Sequence, residues 1–312
     1  MNNQNQHCAV IIPVFNNAQQ LPLTLPALFG QSIPSHWQIS AVLSDDGSTD
    51  ESLITARRLC HASSWPYQII SSPHAGAGTA RNHAIAQSSS SLLLFLGADI
   101  VLRPGSLMAH LNFHSHYPDA QIAALGFVVW DPRLHPTPLM EWMTHGGSQN
   151  NFDALLGQAV ADPNHYFYGS HLSLKRSVLP SPPFRPQYNS YGWEDIDLGR
   201  RLAAQKNLQL SVLPEAIGHH YHYYSTQRVL DRQQAAGHGF RLFQSQHPSV
   251  AVPKTNSLSH WFKHALIYYS GLLFIIRQIT KIISPKYSLP LIYKIAINSH
   301  FWYGFYHTYP QK

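Results

Sequence analysis

A charged run near the middle of the chain carries residue types that acid–base chemistry needs. Only 12% of the 312 residues are charged, yet the run Gly192–Leu202 holds charges of both signs beside a tryptophan. Leu198 and Leu202 are spaced i, i+4, which predicts a helix. The carboxylates of Glu194 and Asp195 then lie at or just before its first turn, where the helix dipole stabilises negative charge. They are either caps on a solvated face or acid–base groups that face a cleft.

The elements that must position these carboxylates alternate along the first hundred residues. Apolar, β-branched runs predict strands over 9–14, 39–43, 67–70 and 91–96. The segments between them predict helices over 19–29, 51–61 and 79–87. This alternation predicts an α/β fold with a parallel sheet and helices on both faces. In such sheets ligands bind at the carboxyl ends of the strands, where this chain places its polar clusters.

Five short motifs stand at those strand ends and at the start of the later helix. In chain order they are Pro13–Asn16, Ser44–Asp50, Gly76–Asn82, Leu96–Asp99 and Trp193–Asp195. In this order they resemble family 2 glycosyltransferases over roughly residues 8–225. The resemblance implies a GT-A fold, which is Rossmann-like with a mostly parallel sheet, as the catalytic domain over residues 1–225. A helical C-terminal region is expected over 226–312.

The first three motifs offer groups for a nucleotide. A uracil-like base presents an N–H donor, so a carboxylate that follows a strand can accept from it. The resemblance gives this role to Asp45 or Asp46, with Pro13 and Phe15 walling the base, and it gives Arg81 a bidentate contact with the diphosphate. The alternatives are an Asx turn for either aspartate and a surface arginine on a helix. The resemblance thus implies a nucleoside-diphosphate-sugar donor, with a UDP-sugar favoured.

The fourth motif points to a divalent cation. The family's Asp-x-Asp motif chelates Mg²⁺ or Mn²⁺ through carboxylate oxygens. Gly97 replaces the first aspartate here, so the resemblance leaves Asp99 as the direct ligand, and His220 is the implied second ligand. Alternation along a strand would place His222 on the same face as His220 and His219 on the other.

The fifth motif supplies the acceptor side. An inverting transfer needs one carboxylate that takes the proton of the acceptor hydroxyl. The resemblance implies that Asp195 is this general base, that Glu194 helps to bind the acceptor, and that Trp193 stacks on a sugar face. His171 stands where relatives commonly carry asparagine, so it could alter donor or acceptor contacts.

Charge and the C-terminal segment suggest where the protein works. The formal net charge of +6 suits an anionic partner. Two cysteines in unrelated contexts and the absence of a visible signal peptide favour a reducing, cytoplasmic location. The segment Trp261–Ile283 is apolar and flanked by Lys and Arg, which is typical either of a helix in a membrane interface or of a packed helix. We expect peripheral contact with the inner face of the cytoplasmic membrane.

The sequence therefore predicts an inverting glycosyltransferase that moves a sugar to a hydroxyl of a glycan or lipid-linked acceptor, in cell-surface polysaccharide synthesis. The alternative raised by Gly97 is a non-catalytic nucleotide- or carbohydrate-binding relative with a degenerate metal motif. A nucleotidyltransferase would need a Gly- and Lys/Arg-rich loop after the first strand, and Pro13–Asn16 has none. A nucleic-acid partner would explain the charge but not the ordered motifs, so none is expected.

Overall fold

The computed structural model describes residues 6–145, 151–189, 191–250, 278 and 288–307. Its strands are β1 (Gln6–Val14), β2 (Trp37–Asp45), β3 (Tyr67–Ser71), β4 (Leu92–Leu96), β5 (Ile100–Leu102), β6 (Ile122–Trp130), β7 (Val160–Ala161), β8 (His171–Lys175) and β9 (Gln209–His220). Its helices are α1 (Leu21–Phe29), α2 (Ser52–His61), α3 (Ala77–Gln87), α4 (Ser106–His116), α5 (Pro138–Thr144), α6 (Pro163–Tyr166), α7 (Glu194–Lys206), α8 (Thr226–Gln246) and α9 (Pro290–Tyr306).

The strands form a nine-stranded sheet in the order β3-β2-β1-β4-β8-β6-β9-β5, with β7 also paired to β9. The half β3-β2-β1-β4 is parallel, as the alternating pattern predicts. Strand β8 then runs antiparallel to both β4 and β6, and β5 runs antiparallel to β9. The second half of the sheet is therefore mixed, because its strands are not joined by the regular strand–helix–strand crossovers that force parallel pairing.

The core lies on both faces of the central strands. Every residue of β4 is fully buried, which explains why its sequence is apolar without alternation. Helix α3 packs on β1 and β2, while α4 packs on β6 and β9. This α/β architecture confirms the predicted fold class.

The chain divides into two compact units. The first contains the whole sheet and comprises residues 1–134, 154–189 and 194–222. The second comprises residues 135–153, 190–193 and 223–312, and in it α8 packs against α9. The proposed boundary between 225 and 226 stays a prediction.

The C-terminal segment is described only in part. Helices α8 and α9 lie in the region where helices are expected. The segment Trp261–Ile283 lies outside the described residues except for Gln278. In the part of the chain that is described, no helix combines the length and apolar character needed to cross a bilayer.

Candidate active site

The carboxyl ends of β1 and β2 lie side by side. Their parallel register pairs Pro13 with Ser44 and Val14 with Asp45, so Phe15 and Asp46 follow at the same edge of the sheet. Phe15 is 42% exposed, whereas both aspartates are buried. This edge holds four of the residues that the sequence assigns to the nucleotide.

The carboxylates of Asp45 and Asp46 organise the loops around this edge. Asp45 Oδ2 accepts a hydrogen bond from the Ser71 hydroxyl at 2.8 Å. Asp46 Oδ1 and Oδ2 accept from the backbone N–H groups of Ala75 and Gly76 at 2.8 and 2.9 Å. Asp46 thereby fixes the residues from which helix α3 begins.

His74 joins this group, although the sequence gives no motif that marks it. Its ring stacks on Phe15 with centroids 4.2 Å apart and planes 22° apart. Its Nδ1 lies 2.8 Å from Asp46 Oδ2. An aromatic surface beside a buried carboxylate is chemically suited to a planar base with an N–H donor.

Arg81 links helix α3 to the start of α7. Its side chain is buried, and Nη1 donates to Glu194 Oε1 at 3.0 Å while Nη2 donates to the Gly169 carbonyl at 3.1 Å. A Cβ at position 169 would lie 3.2 Å from the guanidinium carbon, so glycine permits this close approach. The guanidinium is thus paired with Glu194 and the Gly169 carbonyl, and its contact with a diphosphate stays a prediction.

Asp195 is held by the backbone at the first turn of α7. Its Oδ2 accepts from the Gly169 N–H at 3.1 Å, and its Oδ1 accepts from the Ile196 N–H at 2.8 Å. Burial, followed by the negative charge of Glu194, raises the pKa of the Asp195 carboxyl from its usual 3.8 to about 7, against the opposing charge of Arg81. A carboxylate with a pKa near neutrality is suited to accept a proton.

Asp99, which follows β4, faces two histidines at and just beyond the end of β9. Its Oδ2 lies 3.1 Å from His220 Nε2 and 3.1 Å from His222 Nδ1. Burial alone would raise the pKa of the Asp99 carboxyl, but the charges and hydrogen bonds of the two imidazoles outweigh it and hold the pKa well below its usual range. The three side chains are partly exposed, between 12% and 22%.

Two backbone hydrogen bonds connect these groups. The Gly97 N–H donates to the Ser170 carbonyl at 2.9 Å, next to the Gly169 peptide that binds Asp195. The Tyr221 N–H donates to the Asp99 carbonyl at 2.8 Å. The loop that carries Asp99 is therefore tied both to the segment beside Asp195 and to the end of β9.

His171 and Trp193, which the sequence also singles out, pack against other protein side chains. His171 is completely buried, with Nδ1 3.3 Å from the Phe127 carbonyl oxygen, and its imidazole packs on the ring of His110 in α4. Trp193 belongs to the second unit, where its indole N–H donates to the Ala236 carbonyl at 2.8 Å and its rings pack on Phe240. Stacking of Trp193 on a sugar stays a prediction.

Residues 9–180, more than half of the chain, match the sequence profile described as "Glycosyl transferase family 2". The chain belongs to this family. Within it, Glycosyltransferase AglE of Haloferax volcanii is 36% identical over 92 residues, which is 29% of this chain. That match spans 30% of the length of the relative.

Solved structures place this family 2 chain in the GT-A fold. The mannosyltransferase PcManGT from Pyrobaculum calidifontis, in complex with GDP-Man and Mn²⁺, superposes with a TM-score of 0.57 at 17% identity, over 93% of this chain and 85% of that chain. Residues 1–349 of TarS from S. aureus, in complex with UDP, superpose with a TM-score of 0.54 at 15% identity, over 95% and 89%.

The donors around Asp99 fit a divalent cation. Among the described residues, Asp99, His220 and His222 offer ligand atoms that all lie within 4.8 Å of one another. Two donors bound at right angles about 2.1 Å from one ion lie about 3 Å apart. The carboxylate oxygen is separated from each imidazole nitrogen by 3.1 Å, which is a hydrogen-bond distance here and is also compatible with two ligands of one ion.

The structure thus brings the predicted residues together in three adjoining groups. They are the predicted nucleotide edge of Pro13, Phe15, Asp45 and Asp46, the predicted acid–base group of Arg81, Glu194 and Asp195, and the pair Asp99 and His220. Sequence reasoning missed His74 and the pairing of Arg81 with Glu194. The alternation predicted for a strand pointed to His222 beside His220, although β9 ends at His220 and His222 lies just beyond it.

Proposed function

We propose that the protein is an inverting glycosyltransferase that moves a sugar from a nucleoside-diphosphate-sugar to a hydroxyl group. The observation that carries this proposal is Asp195, a carboxylate oriented by two backbone N–H groups and tuned to a pKa of about 7. The acceptor oxygen would attack the anomeric carbon while Asp195 takes its proton. The bond from that carbon to the diphosphate breaks, and the nucleoside diphosphate leaves with the electron pair.

The nucleotide edge supports the donor part of the proposal. Phe15 and His74 offer an aromatic surface for a base, and Asp45 and Asp46 supply buried carboxylates beside it. We propose a UDP-sugar as donor, with a GDP-sugar as the second candidate.

Asp99 and His220 would hold a divalent cation, Mg²⁺ or Mn²⁺. When bound, such an ion neutralises charge on the diphosphate and makes the nucleotide a better leaving group. Arg81 keeps Glu194 and the Gly169 peptide in place around Asp195, which leaves Glu194 Oε2 for the acceptor.

We further infer that the acceptor is a glycan or lipid-linked molecule of cell-surface polysaccharide synthesis, used at the inner membrane face. What supports this is the basic, carboxylate-free composition of residues 261–283. Cosedimentation of the full chain with vesicles that contain acidic phospholipid tests the membrane part. Binding is expected, and its absence at low salt would contradict it.

The experiment that tests the function measures nucleotide release from a panel of UDP- and GDP-sugars, with alkyl glycosides as acceptors and Mn²⁺ present. NMR of the product then gives the configuration at the anomeric carbon. Inversion relative to the donor is expected. A product with retained configuration would contradict the single-displacement mechanism.

A non-catalytic nucleotide-binding relative is the second candidate, because Gly97 removes one carboxylate of the family's metal motif. It predicts that UDP or GDP binds while no donor in the panel is consumed, and that Asp195→Asn behaves as the wild type.

A further inference from the structure

We propose that His222 is a third ligand of the cation, replacing the carboxylate that position 97 lacks, and that the resulting Asp-His-His site prefers Mn²⁺-like transition ions to Mg²⁺. The inference rests on the proposed function, since that function calls for a cation at Asp99 and His220. It goes further by assigning a ligand and an ion class to this particular chain.

A side chain at residue 97 would crowd the carboxylate of Asp99. A Cβ at residue 97 would lie 2.9 Å from Asp99 Oδ1 and 2.9 Å from Ile100 Cγ1. Real Cβ atoms are essentially never found that close to other heavy atoms. Both close contacts are with side-chain atoms, so a carboxylate at 97 would require the side chains of Asp99 and Ile100 to move from the positions that they have here.

Residues at the end of β9 and just beyond it lie beside Asp99. The antiparallel register pairs Ile100 with His220, and the Tyr221 N–H donates to the Asp99 carbonyl at 2.8 Å. These contacts hold the segment 220–222 against the residue that carries the carboxylate. His222 Nδ1 thereby reaches the same oxygen, Asp99 Oδ2, that His220 Nε2 reaches.

The ring of His220 is also oriented by packing. The Trp130 indole stacks on it, with centroids 5.1 Å apart and planes 9° apart. A stacked imidazole keeps its Nε2 directed at Asp99, so the two imidazole nitrogens and the carboxylate oxygen are preorganised as a set. Preorganised ligands bind an ion with a smaller loss of side-chain entropy.

The chemistry of this donor set favours transition ions. Mg²⁺ prefers oxygen ligands, whereas imidazole nitrogen suits first-row transition metals, and two histidines with one carboxylate are typical of such ions with open positions left for other ligands. Affinity should rise from Mn²⁺ to Co²⁺ in the usual order. A site with His222 in place of a carboxylate therefore still binds a cation, but it prefers a different ion.

The test titrates the full chain with Mn²⁺ alone, and with UDP or GDP present, while electron paramagnetic resonance reports free Mn²⁺. Competition with Mg²⁺ gives the ratio of the two affinities, which we expect to favour Mn²⁺ by at least about tenfold. Electron spin-echo modulation from ¹⁴N then reports coordinated imidazole. We expect two nitrogens in the wild type and one in His222→Asn, with affinity about tenfold or more lower.

Two further variants sharpen the result. His222→Asp exchanges nitrogen for oxygen and should shift the preference towards Mg²⁺. His219→Asn is the matched control, because residue 219 faces the other side of β9, and it should leave both affinity and the ¹⁴N signal unchanged. Urea unfolding of each variant confirms that it is folded.

An unchanged ¹⁴N signal and unchanged affinity in His222→Asn would overturn the proposal, as would a wild type that binds Mn²⁺ without nitrogen or not at all. Donor consumption measured in parallel separates this failure from failure of the function. A chain that consumes donor without bound metal keeps its function and loses the metal site. A chain that binds Mn²⁺ through two imidazoles but consumes no donor keeps the site and loses the function.

Discussion

Asp195 and Asp99 are two aspartates on connected segments of the first unit, and their neighbours give them opposite properties. Asp195 is half-buried, and its loss of solvation together with the negative charge of Glu194 raises its pKa towards neutrality. Asp99 is also half-buried, but His220 and His222 hold its pKa well below the usual range. The first is suited to exchange a proton at physiological pH, and the second is suited to remain an anionic ligand.

The difference shows that residue type alone does not assign a role within this site. We propose that the carboxylate near a like charge acts as the base and that the carboxylate between two imidazoles acts as a cation ligand. The sharpest tests replace one carboxylate, or one of its neighbours, and measure whether the role proposed for the other carboxylate is affected.

The largest expected effect comes from Asp195→Asn. The amide keeps the shape but cannot take a proton at neutral pH, so the transfer rate should fall by about 10²- to 10⁴-fold. Initial rates of nucleotide release from the preferred donor, with acceptor and Mn²⁺ present, measure this. The same substitution at Asp153, in the second unit, is the matched control and should leave the rate near that of the wild type.

Arg81→Gln should have a smaller effect, through Asp195. The Arg81 charge opposes the rise in the pKa of Asp195, so its loss should move the acid limb of the rate profile to higher pH. A shift of one pH unit lowers the rate on that limb about tenfold. Rate profiles between pH 5.5 and 9 measure it, with Arg57→Gln on the exposed side of α2 as control.

Arg81→Lys keeps the charge and tests the same point in a variant that is easier to fold. Its acid limb should stay closer to that of the wild type than the limb of Arg81→Gln. Identical pH profiles in wild type and both variants would show that Arg81 acts on something other than the base.

The last prediction concerns the stability of the fold. It compares three buried histidines with one exposed histidine. His110 and His114 both contact the Ser173 hydroxyl, at 2.8 and 2.9 Å, and the His110 ring packs on His171. Burial lowers the pKa of His171 to about 4 and that of His114 to about 3, the latter also through the charge of Lys175. These groups are neutral in the folded protein.

Stability from these histidines is present above pH 6.5 and is lost as the pH falls towards their folded pKa values, because the unfolded chain then binds more protons. Between pH 6.5 and 5, each buried histidine should lower the free energy of unfolding by about 2 kcal/mol. Urea unfolding at the two pH values measures it. His171→Leu should remove the contribution of one buried histidine from the pH dependence of the free energy of unfolding. Substitution of the exposed His61, in His61→Gln, should leave that pH dependence unchanged.

The parallel half of the sheet and its edge could be predicted from sequence because β1, β2 and β4 are apolar runs that end in polar motifs. Strand β6 could not be recognised in this way, since Ala and Gly residues weaken its pattern. The reason for Gly126 is long-range: a Cβ there would lie 2.4 Å from the His171 ring. Only the fold places these two residues together.

The same limit applies to the site. Motif order pointed to Asp195 and Asp99 as candidates, and the alternation expected of a strand pointed to His222 beside His220. The pairing of Arg81 with Glu194 joins residues 113 positions apart, and the stacking of His74 on Phe15 depends on the loop that Asp46 fixes. Such contacts are set by tertiary packing, which no local pattern records.

The most direct test of the division of roles is calorimetric titration of Asp99→Asn and Asp195→Asn with UDP and GDP in the presence and absence of Mn²⁺. We predict that Asp195→Asn keeps the metal-dependent nucleotide binding of the wild type, whereas Asp99→Asn loses its dependence on Mn²⁺ and binds more weakly. Equal loss of metal-dependent binding in both variants, or its full retention in Asp99→Asn, would contradict the assignment of one carboxylate to the proton and the other to the cation.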